Sequence, residues 1–177
     1  MKFLIITFTL TFGLLGHAFA ADEKIDPATY ICAELIAANL DGVPPIYEGL
    51  QLDGYFSAQK NLKYADANLL APLLVEVSDS CAAEPTEKAI KHWEAARKNY
   101  VIEENGLWNA NTYKCGDYAE NPDDGSGFVI WLDAYNRAKT GKSASVLSSQ
   151  EAINHFVEVC KANPGKLMLD VINETAR

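Results

Sequence analysis

The chain reads as an all-α protein made of two small helical units in tandem, about four helices and one disulfide in each. Three observations carry that reading: one set of short segments occurs twice, the four cysteines divide evenly between the copies, and apolar residues recur at helical spacing. Thr29-Tyr30-Ile31-Cys32-Ala33-Glu34 returns as Thr112-Tyr113-Lys114-Cys115-Gly116-Asp117. Leu52-Asp53-Gly54-Tyr55 returns as Leu132-Asp133-Ala134-Tyr135, and Cys81-Ala82-Ala83-Glu84-Pro85 as Cys160-Lys161-Ala162-Asn163-Pro164. The offsets are 83, 80 and 79, in the same order along both copies.

Four cysteines allow three connectivities, and spacing alone does not choose among them. If each copy is one structural unit, the pairs are Cys32–Cys81 and Cys115–Cys160. They close loops of about 50 and about 46 residues, worth roughly 4 kcal/mol each on loop-entropy grounds. Each pair ties a short helix beginning near Thr29 or Thr112 to the long third helix of its copy. In the first copy that helix carries Leu70, Leu74, Val77 and Cys81 on one face, Pro85 breaks it, and Ala89, Ile90 and Trp93 begin the next. In the second copy Ser148-Ser149-Gln150-Glu151 resembles a capping box with Ser148 as cap. Ile153, Phe156, Val157 and Cys160 then share a face, Pro164 stops the helix, and Leu167, Met168, Val171 and Ile172 form the last apolar stripe. No strand pattern emerges.

Residues 1–20 read as a cleaved secretory leader: Lys2, an apolar run from Phe3 to Leu15, and Ala18-Phe19-Ala20 as the small-x-small site. That run is short for a bilayer-spanning helix. The expected compartment is a periplasm, where paired cysteines are the default. The expected units are residues 21–100 and 112–177, with 101–111 as linker, including Glu103-Glu104-Asn105-Gly106. Without the leader, 14 Lys and Arg stand against 24 Asp and Glu, a formal charge of −10. Such a balance argues against nucleic-acid and anionic-membrane partners.

Motifs for chemistry are missing. The sequence has no G-x-S-x-G, phosphate loop, dinucleotide fingerprint or H-E-x-x-H. His92 and His155 read as surface or half-buried helix residues. A zinc site is disfavoured for want of a C-x-x-C pair and a closely spaced histidine. Asn121-Pro122-Asp123-Asp124-Gly125 lacks calcium-loop alternation and reads as a turn opening a helix near Gly127. No catalytic residue, metal or cofactor is expected. Two features remain. Phe128-Val129-Ile130-Trp131-Leu132 is too broad for a single buried stripe, so it is either a core helix covered on several sides or a partner-binding surface. With Tyr135 and the first-copy residues Leu52, Tyr55 and Phe56 it makes the candidate client- or partner-binding set. The second feature is charge: below about pH 3 the carboxylates protonate and the side chains of residues 21–177 sum to +16.

The order T-Y-x-C, L-D-x-Y and a long helix ending in C-x-x-x-P resembles the HdeA/HdeB family of periplasmic acid-stress chaperones. The stretch from Phe156 to Lys166 is similar to the HdeB end of that family, and Trp131-Leu132-Asp133-Ala134-Tyr135 fits its aromatic second helix. The resemblance covers residues 29–93 and 112–172. It implies all-helical units whose disulfide joins the first and third helices, and an ATP-independent chaperone that holds acid-denatured periplasmic proteins. Family members are single units that dimerise near neutral pH. This chain departs from them in its tandem form, which suits a homodimer or an intramolecular pseudo-dimer, and in Gln51, which stands where the second copy has Trp131. A folded binding module of inhibitor or immunity type, without acid switching, is the alternative.

Overall fold

The computed structural model describes residues 24–39, 42–100, 108–120 and 122–177. The expected leader, and Glu103 to Gly106 of the expected linker, lie outside the described residues. Among the described residues there are eight helices in two similar halves, each with one disulfide. The first half holds α1 (Cys32–Ala38), α2 (Ile46–Gln59), α3 (Leu70–Ala83) and α4 (Ala89–Arg97). The second holds α5 (Cys115–Glu120), α6 (Pro122–Thr140), α7 (Gln150–Ala162) and α8 (Met168–Thr175). The disulfides are Cys32–Cys81 and Cys115–Cys160, tying α1 to α3 and α5 to α7 across Cα–Cα distances of 5.0 Å.

The recurring motifs have local causes. At the start of α1 the Glu34 carboxylate accepts from the Ile31 N–H at 2.8 Å, and at α5 Asp117 accepts from the Lys114 N–H at 2.7 Å. Each acid thus satisfies a donor just ahead of the first turn, where negative charge is favoured. The next amides are taken up by the turn after the third helix. Cys32 and Ala33 N–H donate to the Glu87 and Pro85 carbonyls, and Cys115 and Gly116 N–H to those of Lys166 and Pro164. Return bonds run from Ala89 N–H to Tyr30 O and from Met168 N–H to Tyr113 O. The C-x-x-x-P turn is therefore the docking edge for the T-Y-x-C segment, and the disulfide closes the same joint.

The apolar faces are where the periodicity puts them. Leu70, Leu74, Val77 and Cys81 are buried on α3, joined by Leu73, while Met168, Val171 and Ile172 are buried on α8. On α7, Phe156 and Cys160 are buried but Ile153 and Val157 stay half-exposed at a cleft. Two boundaries differ from the sequence reading. The cap of α7 is Ser149, whose Oγ accepts from the Ala152 N–H at 3.2 Å. Ser148 is instead held in the preceding turn, its N–H donating to the Ser145 carbonyl. Helix α6 begins at Pro122, five residues before Gly127. Proline suits a first helical turn, and Gly127 lies inside the helix because Trp108 covers it: a Cβ there would sit 3.1 Å from the ring.

A short ladder that the sequence did not announce links the halves. Strands β1 (Tyr64–Ala65) and β2 (Trp108–Asn109) pair antiparallel, Tyr64 opposite Asn109 and Ala65 opposite Trp108. The segment leading into the second half thus reaches back onto the first. The reciprocal contact runs from Lys24 Nζ to the Ser143 carbonyl at 2.8 Å. The halves meet chiefly along α2 and α6, an intramolecular pairing of two similar units. No helix among the described residues is long and apolar enough to cross a membrane.

Backbones come closest at Gly54. A Cβ there would overlap the Trp131 carbonyl oxygen and stand 3.0 Å from its carbon and 3.2 Å from Tyr135 N. Its repeat partner is the buried Ala134. Backbone atoms cannot swing aside as a side chain can, so Gly54→Ala is expected to lower stability by about 3 kcal/mol, the upper end for overpacking. Equilibrium urea unfolding measures it. A loss below about 0.5 kcal/mol would show that α2 and α6 can part freely.

Candidate functional site

The candidate site is the seam between α2 and α6, because it collects the largest aromatic side chains and the buried charges. Phe128, Val129, Trp131, Leu132 and Tyr135 are buried on α6, as are Leu52 and Phe56 on α2; Ile130 and Tyr55 are half-buried. None of these nine is an exposed side chain. Of the two readings of Phe128–Leu132, the folded chain adopts the core helix covered on several sides. Trp108, Phe128, Trp131 and Tyr135 form a row along one face of α6, with neighbouring centroids 5.3, 5.8 and 5.0 Å apart. Tyr113 meets Phe128 edge-on at 4.8 Å. Val129 and Ile130 turn the other way and line an apolar cleft of ≈ 160 Å³ with Tyr47, Tyr118, Phe156 and Val157.

Polar groups in this seam are few and almost fully engaged. Asp53 on α2 accepts from Trp93 Nε1 at 3.2 Å, from Arg97 Nε at 3.3 Å and, across the seam, from Trp131 Nε1 at 2.9 Å. Its repeat partner Asp133 accepts from Arg137 Nε at 2.9 Å, Ser145 Oγ at 2.8 Å and the Val146 N–H at 2.9 Å. Arg137 also donates to Gln51 Oε1 at 3.0 Å and to the Ile25 carbonyl at 3.0 Å. The Gln51/Trp131 difference is thereby explained. At matching positions of the two copies, each side chain crosses the seam to the other half's charged centre: the indole to Asp53, the amide to Arg137. Position 57 completes the asymmetry, with Ser57 where the second copy has Arg137. The cation facing Asp53 comes instead from α4, and the buried Ser57 hydroxyl finds no partner among the described residues.

Burial holds the Asp133 carboxyl above the usual aspartate range, opposed in order by Arg137, Ser145, the Val146 amide and the Arg137 hydrogen bond. On the surface the signs reverse. Glu87 is lowered first by its hydrogen bond from Lys91, and Glu94 by that from Lys60. The sequence supplied Asp53 and Asp133 as repeat markers but gave them no role. Their signal was an acid kept at one place within two apolar helices, where charge is not left unpaired.

The chain has no significant match to a known protein family, to a curated protein or to a solved structure.

Two predictions follow from the seam. Trp131→Phe keeps most of the ring but leaves Asp53 one donor short, and is expected to cost about 1–3 kcal/mol in urea unfolding; an unchanged midpoint would mean that water replaces the indole. The second concerns pH. A raised folded-state pKa makes ionised Asp133 a burden above that pKa, and the burden disappears below the unfolded-state value near 4. The unfolding free energy of the parent chain minus that of Asp133→Asn should therefore rise as pH falls from 7 to 4. A flat or falling difference would place the Asp133 carboxyl at or below its unfolded pKa.

Proposed function

We propose that this chain is a periplasmic, ATP-independent holding protein that binds acid-denatured proteins and keeps them from aggregating. One observation carries the reading: a broad apolar and aromatic surface is stored in a seam between two halves that are each closed by their own disulfide and docking bonds. Parting the halves exposes Leu52, Phe56, Phe128, Trp131, Leu132 and Tyr135 without undoing either staple. Surfaces of that breadth capture unfolded chains by non-directional apolar burial. The driving force is the change in net charge from −10 to +16, which sets the halves against each other. The motif resemblance to acid-stress chaperones supports the same reading.

A second reading has its own support. Val43 is 66 % exposed and Val75 60 %, beside a cleft of ≈ 160 Å³ lined by Pro44, Pro45 and Leu74, all in the first half. A folded module binding one partner at neutral pH would use that face and leave the seam shut.

Light scattering of an acid-denatured client, with and without the chain from about pH 7 to pH 2, separates the two. The proposal expects suppression only in strong acid, together with red-shifted tryptophan emission as the Trp131 environment becomes wet. Absence of suppression at every pH, or suppression with tryptophan emission unchanged, would overturn seam opening as the mechanism.

A further inference from the structure

The structure brings His92 against the first-half disulfide, a proximity invisible in the sequence because the three residues lie on α1, α3 and α4. Among the described residues, Cys32 Sγ, Cys81 Sγ and a ring nitrogen of His92 lie within 4.8 Å of one another. We propose that, once this disulfide is reduced, the first half binds one zinc ion through Cys32, Cys81 and His92, with Glu84 as fourth ligand.

The histidine is already prepared for the role. Ser80 Oγ donates its only proton to the Val77 carbonyl at 3.0 Å. With that proton on Val77, the 3.1 Å bond between Ser80 Oγ and His92 Nδ1 is one that Nδ1–H donates. In the neutral ring this leaves the lone pair on Nε2, the nitrogen that is buried without a hydrogen-bond partner. Fixing a ligand's tautomer through its other nitrogen is the usual task of a metal's outer shell. Glu84 Oε2 faces Nε2 at 3.7 Å. The same carboxylate oxygen lies 3.9 Å from Lys91 Nζ, so it already sits in a cationic setting, and a proton or a metal ion on Nε2 would bring it a second positive neighbour.

The second half is an internal control. It has the same fold and an equivalent disulfide, yet Val171 stands where His92 would be, Val159 for Ser80 and Asn163 for Glu84. The fold therefore does not need the polar trio. Tetrahedral zinc, with Zn–S about 2.3 Å and Zn–N about 2.0–2.1 Å, holds its ligand atoms roughly 3.5–4 Å apart. Side-chain shifts on the order of 1 Å would bring the two sulfurs and the His92 ring to that spacing after the S–S bond opens, and the exposed Glu84 carboxylate would have to swing further to join them.

The step balances. A dithiol gives two electrons and two protons to Cys32–Cys81, yielding two thiols, and itself closes to a disulfide. Zn²⁺ then displaces both thiol protons to solvent and takes the Nε2 lone pair and the Glu84 carboxylate. The ion would close the joint that the disulfide had closed, in keeping with the folding energy that structural zinc supplies.

The test uses the full chain reduced anaerobically with a water-soluble phosphine, which takes up the oxygen of water as the disulfide becomes two thiols and does not compete as a thiol chelator. Zinc is titrated against a chromophoric chelator, and Co²⁺ serves as the spectroscopic probe. The expected result is one Zn²⁺ per reduced chain, none at this site in the oxidised chain, and a tetrahedral Co²⁺ spectrum. His92→Val should weaken binding at least about tenfold and abolish that spectrum; Glu84→Gln, an exposed change that leaves folding intact, should weaken binding less. Failure of the reduced chain to bind, two equivalents bound, or unaltered affinity in His92→Val would overturn the proposal. The last two results are what thiolates of an unfolded chain would give.

Discussion

The close approach of α2 and α6 at Gly54 governs the rest of the molecule. With backbone against backbone there, the side chains one helical turn ahead of Gly54 and Ala134 reach into the opposite half. Trp131 and Gln51 do so, which is why Asp53 and Arg137 are satisfied partly from the other side. The polar groups do not by themselves hold the seam shut. Buried ion pairs return little net stability against an apolar alternative, although removing one partner alone costs about 3–5 kcal/mol. Apolar burial supplies the attraction, and the two aspartates select a single register for it, since any slip would strand a buried charge.

Each half, in contrast, is closed by bonds of its own that do not cross the seam. The disulfide, the acid ahead of the first helix and the paired backbone bonds to the C-x-x-x-P turn form one joint, repeated almost atom for atom. Stability is thus divided into two local closures and one shared interface, and the interface is the one of the three that no disulfide spans. A molecule so divided can loosen at the seam while its halves stay compact. The proposed holding activity depends on that division more than on any single side chain.

Much of this was legible in the sequence. The repeat gave the number of halves, the cysteine pairing within each and the helical faces of α3, α7 and α8, because all of these follow from local period and order. The fate of Phe128 to Leu132 was not legible. Five consecutive apolar residues require cover on several sides, but whether that cover is the same chain or a partner depends on where the other half docks. The roles of Asp53, Arg97 and Arg137 stayed hidden for the same reason: Arg97 lies 44 residues from its acid, and only the packing of α4 on α2 brings them together. Ser149 rather than Ser148 as cap is a boundary effect set by the preceding turn, and α6 starts early at Pro122, a residue type that suits a first helical turn. His92 is the clearest case. Read along the chain it had no closely spaced partner; in space it stands beside a disulfide.

Acid acts on these parts with opposite signs. Glu87 and Glu94 are lowered by lysines on the surface of the first half, so their contribution is present at neutral pH and lost as pH falls through their folded values. Asp133 is raised by burial, so its contribution to folding improves as pH falls. On the proposed mechanism the seam outlasts these peripheral pairs in mild acid. What overcomes it is the sum rather than any one group. When most of the 24 carboxylates are neutral, the cations on both halves repel without compensation. The proposed opening is thereby confined to the pH range below the ordinary carboxylate values, about 4.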